Sequence, residues 1–76
     1  MPDALFALEQ QARQHIRLKQ HEQARAAFLS LLKQDYAGWS LSAYILAINT
    51  CLRCMDRIHA AQLLQQGLQQ YPDSMQ

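Results

Sequence analysis

With 76 residues the chain has room for one domain, 1–76, whose single core contributes no more than about 3–5 kcal/mol of net stability. Half of its residues are apolar while glycine and proline number two each, which favours helices over a turn-rich β fold and predicts a soluble, all-α class. Seven basic and six acidic residues scattered singly give a net charge of +1, so no basic field for nucleic acid or anionic lipid is expected.

The opening Met1, Pro2, Asp3 and Ala4 lack the basic region and apolar run of a secretory signal. The longest apolar stretch, Leu41 to Ile48, is far short of the roughly 20 residues that span a bilayer. A cytoplasmic protein without membrane or nucleic-acid partners is the expectation.

Pro2 and Asp3 suit a first helical turn, where proline's missing N–H costs nothing and an acid complements the helix dipole. Leu5, Leu8, Ala12, His15 and Ile16 recur at spacings of three and four, predicting one buried stripe on a helix that runs to about Leu18. Lys19, Gln20 and His21 contain no strong breaker, so the turn there follows from the repeat described below. A second helix carries Ala24, Ala27, Phe28, Leu31 and Leu32 inward and ends near Asp35, Tyr36, Ala37 and Gly38, where the glycine can close a helix or turn in the left-handed conformation. Ser40 or Ser42 can cap a third helix to about Cys54, the most apolar segment, with Leu41, Tyr44, Ile45, Ile48, Cys51, Leu52 and Met55 inward. Asp56 can cap a fourth helix that carries Ile58, Ala61, Leu64 and Leu68, stopped at Tyr71, Pro72 and Asp73 because proline cannot continue the hydrogen-bond ladder. The glutamines between Gln10 and Gln23 and between Gln62 and Gln70 read as neutral solvated helix faces.

The halves are related at a spacing of about 36 residues. His21, Ala24, Phe28, Leu31 and Tyr36 align with Arg57, Ala60, Leu64, Gly67 and Pro72, small on small and large on large. Periods of about 20–50 residues mark units that bury their apolar faces by stacking on a neighbour. Two antiparallel helical hairpins follow, repeat one about 4–37 and repeat two about 40–73. Ala24, Ala27, Ala60 and Gly67 would let the helices of each hairpin approach closely, where a bulky side chain would push them apart.

This pattern resembles the tetratricopeptide repeat (TPR) family. Tyr44, Ala60, Leu64, Gly67 and Pro72 carry the resemblance in the second half, and Leu8, Ala12, His15, Ala24, Phe28 and Leu31 in the first. Tyr36 stands where the family usually has proline, and Lys19 and Met55 stand near the places of its turn glycines. The resemblance implies a non-enzymatic adaptor or chaperone that binds a polypeptide along the concave face built by the first helix of each hairpin. It puts Arg13, Arg17, Asn49 and Arg53 on that groove, where guanidinium forks and an amide would meet carboxylates and backbone carbonyls. The family's carboxylate clamp for chaperone tails is not reproduced, because Glu9 and Arg13 stand where its leading pair would fall.

Two repeats leave the last helix without a neighbour, so Leu64, Leu68 and Tyr71, with Ala61, are expected to form an apolar interface. The expected partner is protein: a homo-oligomer, a heterodimer or a bound peptide. An oligomerisation module without a working groove is the alternative. Small TPR-like chaperones of bacterial secretion systems share the size and logic, though no motif selects them.

The CxxC of Cys51 and Cys54 falls late in a helix with no strand nearby, unlike a thioredoxin motif, and reads as packing. Zinc would need further ligands from His15, His21 and His59, and no second CxxC exists. Glu9, Glu22, Asp35, Asp56 and Asp73 are spread over different elements, and no phosphate loop or Ser-His-Asp arrangement can be assembled. No enzyme activity, cofactor or metal is expected; a thiol or zinc protein ranks last.

Overall fold

The computed structural model describes residues 4–34 and 39–73. Pro2 and Asp3, the Asp35 to Gly38 segment and the tail from Ser74 lie outside them. Among the described residues the fold is all-α: α1 Ala4–Arg17, α2 His21–Lys33, α3 Leu41–Arg53 and α4 Arg57–Gln70. α1 packs on α2 and α3 on α4, giving two hairpins, and α2 packs on α3 to stack them.

Both hairpins turn by the same backbone device. Lys19 and Met55 take left-handed φ angles of 60° and 59°, unusual for residues with a Cβ. After α1, the Gln20 N–H bonds the His15 carbonyl at 2.8 Å and the Lys19 N–H bonds that of Ile16 at 3.0 Å. After α3, the Asp56 N–H bonds the Cys51 carbonyl at 2.8 Å and the Met55 N–H bonds that of Leu52 at 3.1 Å. Each is the paired Schellman closure, in which a left-handed residue satisfies the last carbonyls of a helix. The absence of glycine from these turns is therefore met by strained lysine and methionine.

The helix starts differ. Ser40 caps α3 by accepting the Ala43 N–H at 3.2 Å, and Asp56 caps α4 by accepting the His59 N–H at 3.1 Å. Gln20, at the corresponding position before α2, makes no side-chain cap bond.

Ala12, Ala24, Ala43 and Ala47 are buried completely, Ala60 nearly so, and Gly67 is buried as well. These small residues seat the helix crossings, and Phe28, Leu31, Leu63 and Cys51 fill the space between them. An aromatic row ties the hairpins together. Phe28 lies 6.1 Å from Trp39, Trp39 stacks on Tyr44 at 4.7 Å, and Tyr44 meets the edge of Tyr71 at 6.3 Å. The Tyr71 hydroxyl donates to the Trp39 carbonyl at 3.2 Å. Burial raises the Tyr44 phenol above its ordinary pKa.

Two predicted stripes require correction. On α3, Ile45 and Leu52 are exposed, as is Met55 in the turn that follows, and Ala43, Ala47 and Thr50 are the buried residues beside Tyr44 and Cys51. On α4, Ile58, Ala61 and Leu64 are exposed, whereas Ala60, Leu63 and Gly67 face inward and Leu68 is half-buried. Close helix packing selects the smallest residues for the contact line and leaves branched neighbours to flank it, so ranking by hydrophobicity misplaces the stripe.

Candidate functional site

The first helices of the two hairpins carry one set of outward side chains. Phe6, Arg13 and Arg17 follow seven- and four-residue steps on α1, and Ile45, Asn49, Leu52 and Arg53 occupy neighbouring positions on α3. Phe6, Ile45 and Leu52 are 52%, 44% and 49% exposed, and Arg17, Asn49 and Arg53 are exposed as well. The Arg13 guanidinium donates to Ser42 Oγ at 3.1 Å, which joins α1 to α3 at this face.

Of the four residues expected on a groove, Arg17, Asn49 and Arg53 thus present exposed polar groups, while Arg13 is half-buried and engaged in joining the helices. Glu9, the one acid on α1 and α3, is buried, and its Oε1 is 3.9 Å from Arg13. The charge this surface shows to solvent is accordingly cationic, set among apolar side chains. Such a surface can lay down an amphipathic segment, with apolar contacts supplying the area and arginines fixing carboxylates. Sequence reading missed Ile45 and Leu52 by turning them inward. The signal available was their spacing of four and three around Asn49, a residue already expected to face out.

The junction between hairpins holds a cluster that sequence reading did not find. Arg25 of α2 donates to Asp56 Oδ2 at 2.8 Å and to Glu22 Oε2 at 3.0 Å. The same Asp56 oxygen lies 2.8 Å from His59 Nδ1. The His59 N–H and the Arg25 guanidinium hold the Asp56 carboxyl down at about 2 against an ordinary 3.8, and the bond to Asp56 raises Arg25. Asp56 therefore caps α4 and fastens it to the preceding hairpin.

Burial pushes the Cys51 thiol up to about 11, and burial followed by Glu22 raises Cys54. The negative end of α3 adds to this environment, which works against the thiolate that thiol chemistry needs. Among the described residues no group of three or more His, Cys, Asp and Glu side chains is placed to hold a metal ion. His15 Nδ1 pairs with Gln20 Oε1 at 2.7 Å, and His21 opens α2.

At the open end of the stack Leu64 is 41% exposed and Leu68 half-buried, but Tyr71 is turned into the aromatic row. The apolar surface there consists of Leu64, Leu68 and Ala61 more than of Tyr71. No helix among the described residues is long and apolar enough to cross a membrane. Comparison with known protein families, with curated proteins and with solved structures yields no match to this chain.

Proposed function

We propose that this chain is a non-enzymatic, cytoplasmic protein-interaction module of the tetratricopeptide kind, an adaptor or chaperone that holds a segment of a partner polypeptide against α1 and α3. The observation that carries the reading is the exposed set of Ile45, Asn49, Leu52 and Arg53 on α3 together with exposed Phe6 and Arg17 on α1, two helices joined by the Arg13–Ser42 bond. The twin left-handed closures at Lys19 and Met55, repeated at about 36 residues, support a repeat architecture behind it. A segment with leucines on one helical face and glutamates on its flanks matches both the apolar side chains and the exposed arginines.

Calorimetric titration with a leucine-glutamate amphipathic peptide of about 15 residues, long enough to form a helix, tests this reading. Binding is expected for the acidic peptide, with a loss of tenfold or more on Arg17→Glu combined with Arg53→Glu. Equal affinity for the variant, or no binding of the peptide, would remove the groove. The alternative, an oligomerisation module, is favoured by the exposed Leu64 flank of α4.

A further inference from the structure

The outer flanks of α2 and α4 are equivalent surfaces in the two hairpins, yet only one is covered. Phe28 on α2 corresponds to Leu64 on α4, Leu32 to Leu68 and Arg25 to Ala61. Phe28 is completely buried in the stack and Arg25 is ion-paired to Asp56 of the second hairpin. Leu64 is 41% exposed, Ala61 is exposed, and the charge at that place has gone. α4 thus keeps the apolar half of the stacking surface that joins α2 to its neighbour.

A third hairpin supplied by the next copy's α1 is a poor cover. The α3 residues Ala43, Ala47 and Thr50, buried in the stack, correspond on α1 to Ala7, Gln11 and Gln14, all exposed. Head-to-tail growth would bury two glutamines where the internal stack buries alanine and threonine, and would leave their amides without water. The outer face of α1 is therefore polar and unsuited to that stacking, while the flank of α4 is apolar.

We infer that α4 seats α4 of a second copy, antiparallel about a two-fold axis, to make a closed homodimer. Arg57, Ala61, Leu64 and Leu68 fall at steps of four, three and four along one flank of this 14-residue helix. An antiparallel pairing sets Leu64 and Leu68 of each copy across from the other's flank, with the small Ala61 allowing close approach. α4 carries no acid, and Asp73 lies just past its end. Centring the pair near Gln65 places Arg57 of one copy at the end where the other's Asp73 lies, so opposite charges meet at both ends. This inference does not depend on polypeptide binding by α1 and α3.

Light scattering over a concentration series tests it. The wild-type chain is expected to rise from the 8.8 kDa monomer to twice that mass and stop there. Leu64→Glu and Ala61→Glu, both at exposed positions, should each hold the chain at monomer mass with unchanged helical circular dichroism. Arg57→Asp or Asp73→Arg alone should weaken the dimer several-fold, and the two together should restore it. A monomer at every concentration, mass that keeps growing past a dimer, or a dimer indifferent to both glutamate variants would each overturn the proposal.

Discussion

The two turns inside the hairpins share a backbone and differ in their chemistry. Lys19 and Met55 have nearly the same positive φ, and the same pair of carbonyl closures surrounds each. The next residue separates them: Gln20 leaves α2 without a side-chain cap, whereas Asp56 caps α4, binds Arg25 and contacts His59. The shape of the repeat is therefore set by main-chain hydrogen bonding, which tolerates unsuited residues. Side chains decide how firmly each hairpin is held and to what. Hairpin one closes with its main-chain bonds and the His15–Gln20 side-chain pair, and hairpin two is additionally pinned to its neighbour by a carboxylate.

The sharpest test of this difference between the halves uses the equivalent pair Phe28 and Leu64. Phe28→Ala should cost about 3–5 kcal/mol, enough to unfold much of a domain this small, because a completely buried ring leaves a cavity. Leu64→Ala, measured below the concentration of any association, should cost less than about 1 kcal/mol, since the side chain is already partly in water. Urea denaturation followed by circular dichroism reads both values, and similar costs would show that the two flanks are equally covered.

Acid should separate the turns next. The Asp56 carboxyl, held at about 2 when folded against 3.8 ordinarily, contributes stability that is fully present above about pH 4 and is lost as pH falls through about 2. Melting temperature should therefore fall more steeply between pH 5 and pH 2 in the wild type than in Asp56→Asn. The variant should be less stable than wild type by several degrees at pH 7 and converge with it near pH 2. Parallel curves would contradict the role given to Asp56.

Smaller effects sharpen the comparison. Lys19→Gly and Met55→Gly should each stabilise by about 0.5–1 kcal/mol, relief of the left-handed strain exceeding the entropy glycine adds to the unfolded chain. Gln20→Asp should install on α2 a cap of the Asp56 type and contribute about 0.5–1 kcal/mol, because the backbone around Gln20 resembles that around Asp56. Thermal melts of the three variants measure these gains, and destabilisation by both glycines would show that the turns carry no strain.

Helices, caps and crossing residues were legible because they depend on neighbours in the chain. Periodicity placed the four helices within a few residues at most ends, and the caps at Ser40 and Asp56 follow from hydroxyl and carboxylate chemistry. The alanines and Gly67 marked the contact lines. The inward stripes of α3 and α4 were misread because Ile45, Leu52, Ile58 and Leu64 are more apolar than the small residues that the contact selects. The contacts that assemble the candidate face and the junction were not legible. Arg13 meets Ser42 across 29 residues and Arg25 meets Asp56 across 31, pairings fixed by how the hairpins stack and by no local pattern.

The most direct test of a polypeptide-binding face is a map of where a polypeptide lands. Amide chemical shifts of the nitrogen-15-labelled chain, titrated with the leucine-glutamate peptide, provide it. Binding along the first helices predicts the largest shifts at Arg17, Ile45, Asn49, Leu52 and Arg53, with Ala61, Leu64 and Leu68 undisturbed. Shifts concentrated on Ala61, Leu64 and Leu68, or none at saturating peptide, would contradict it.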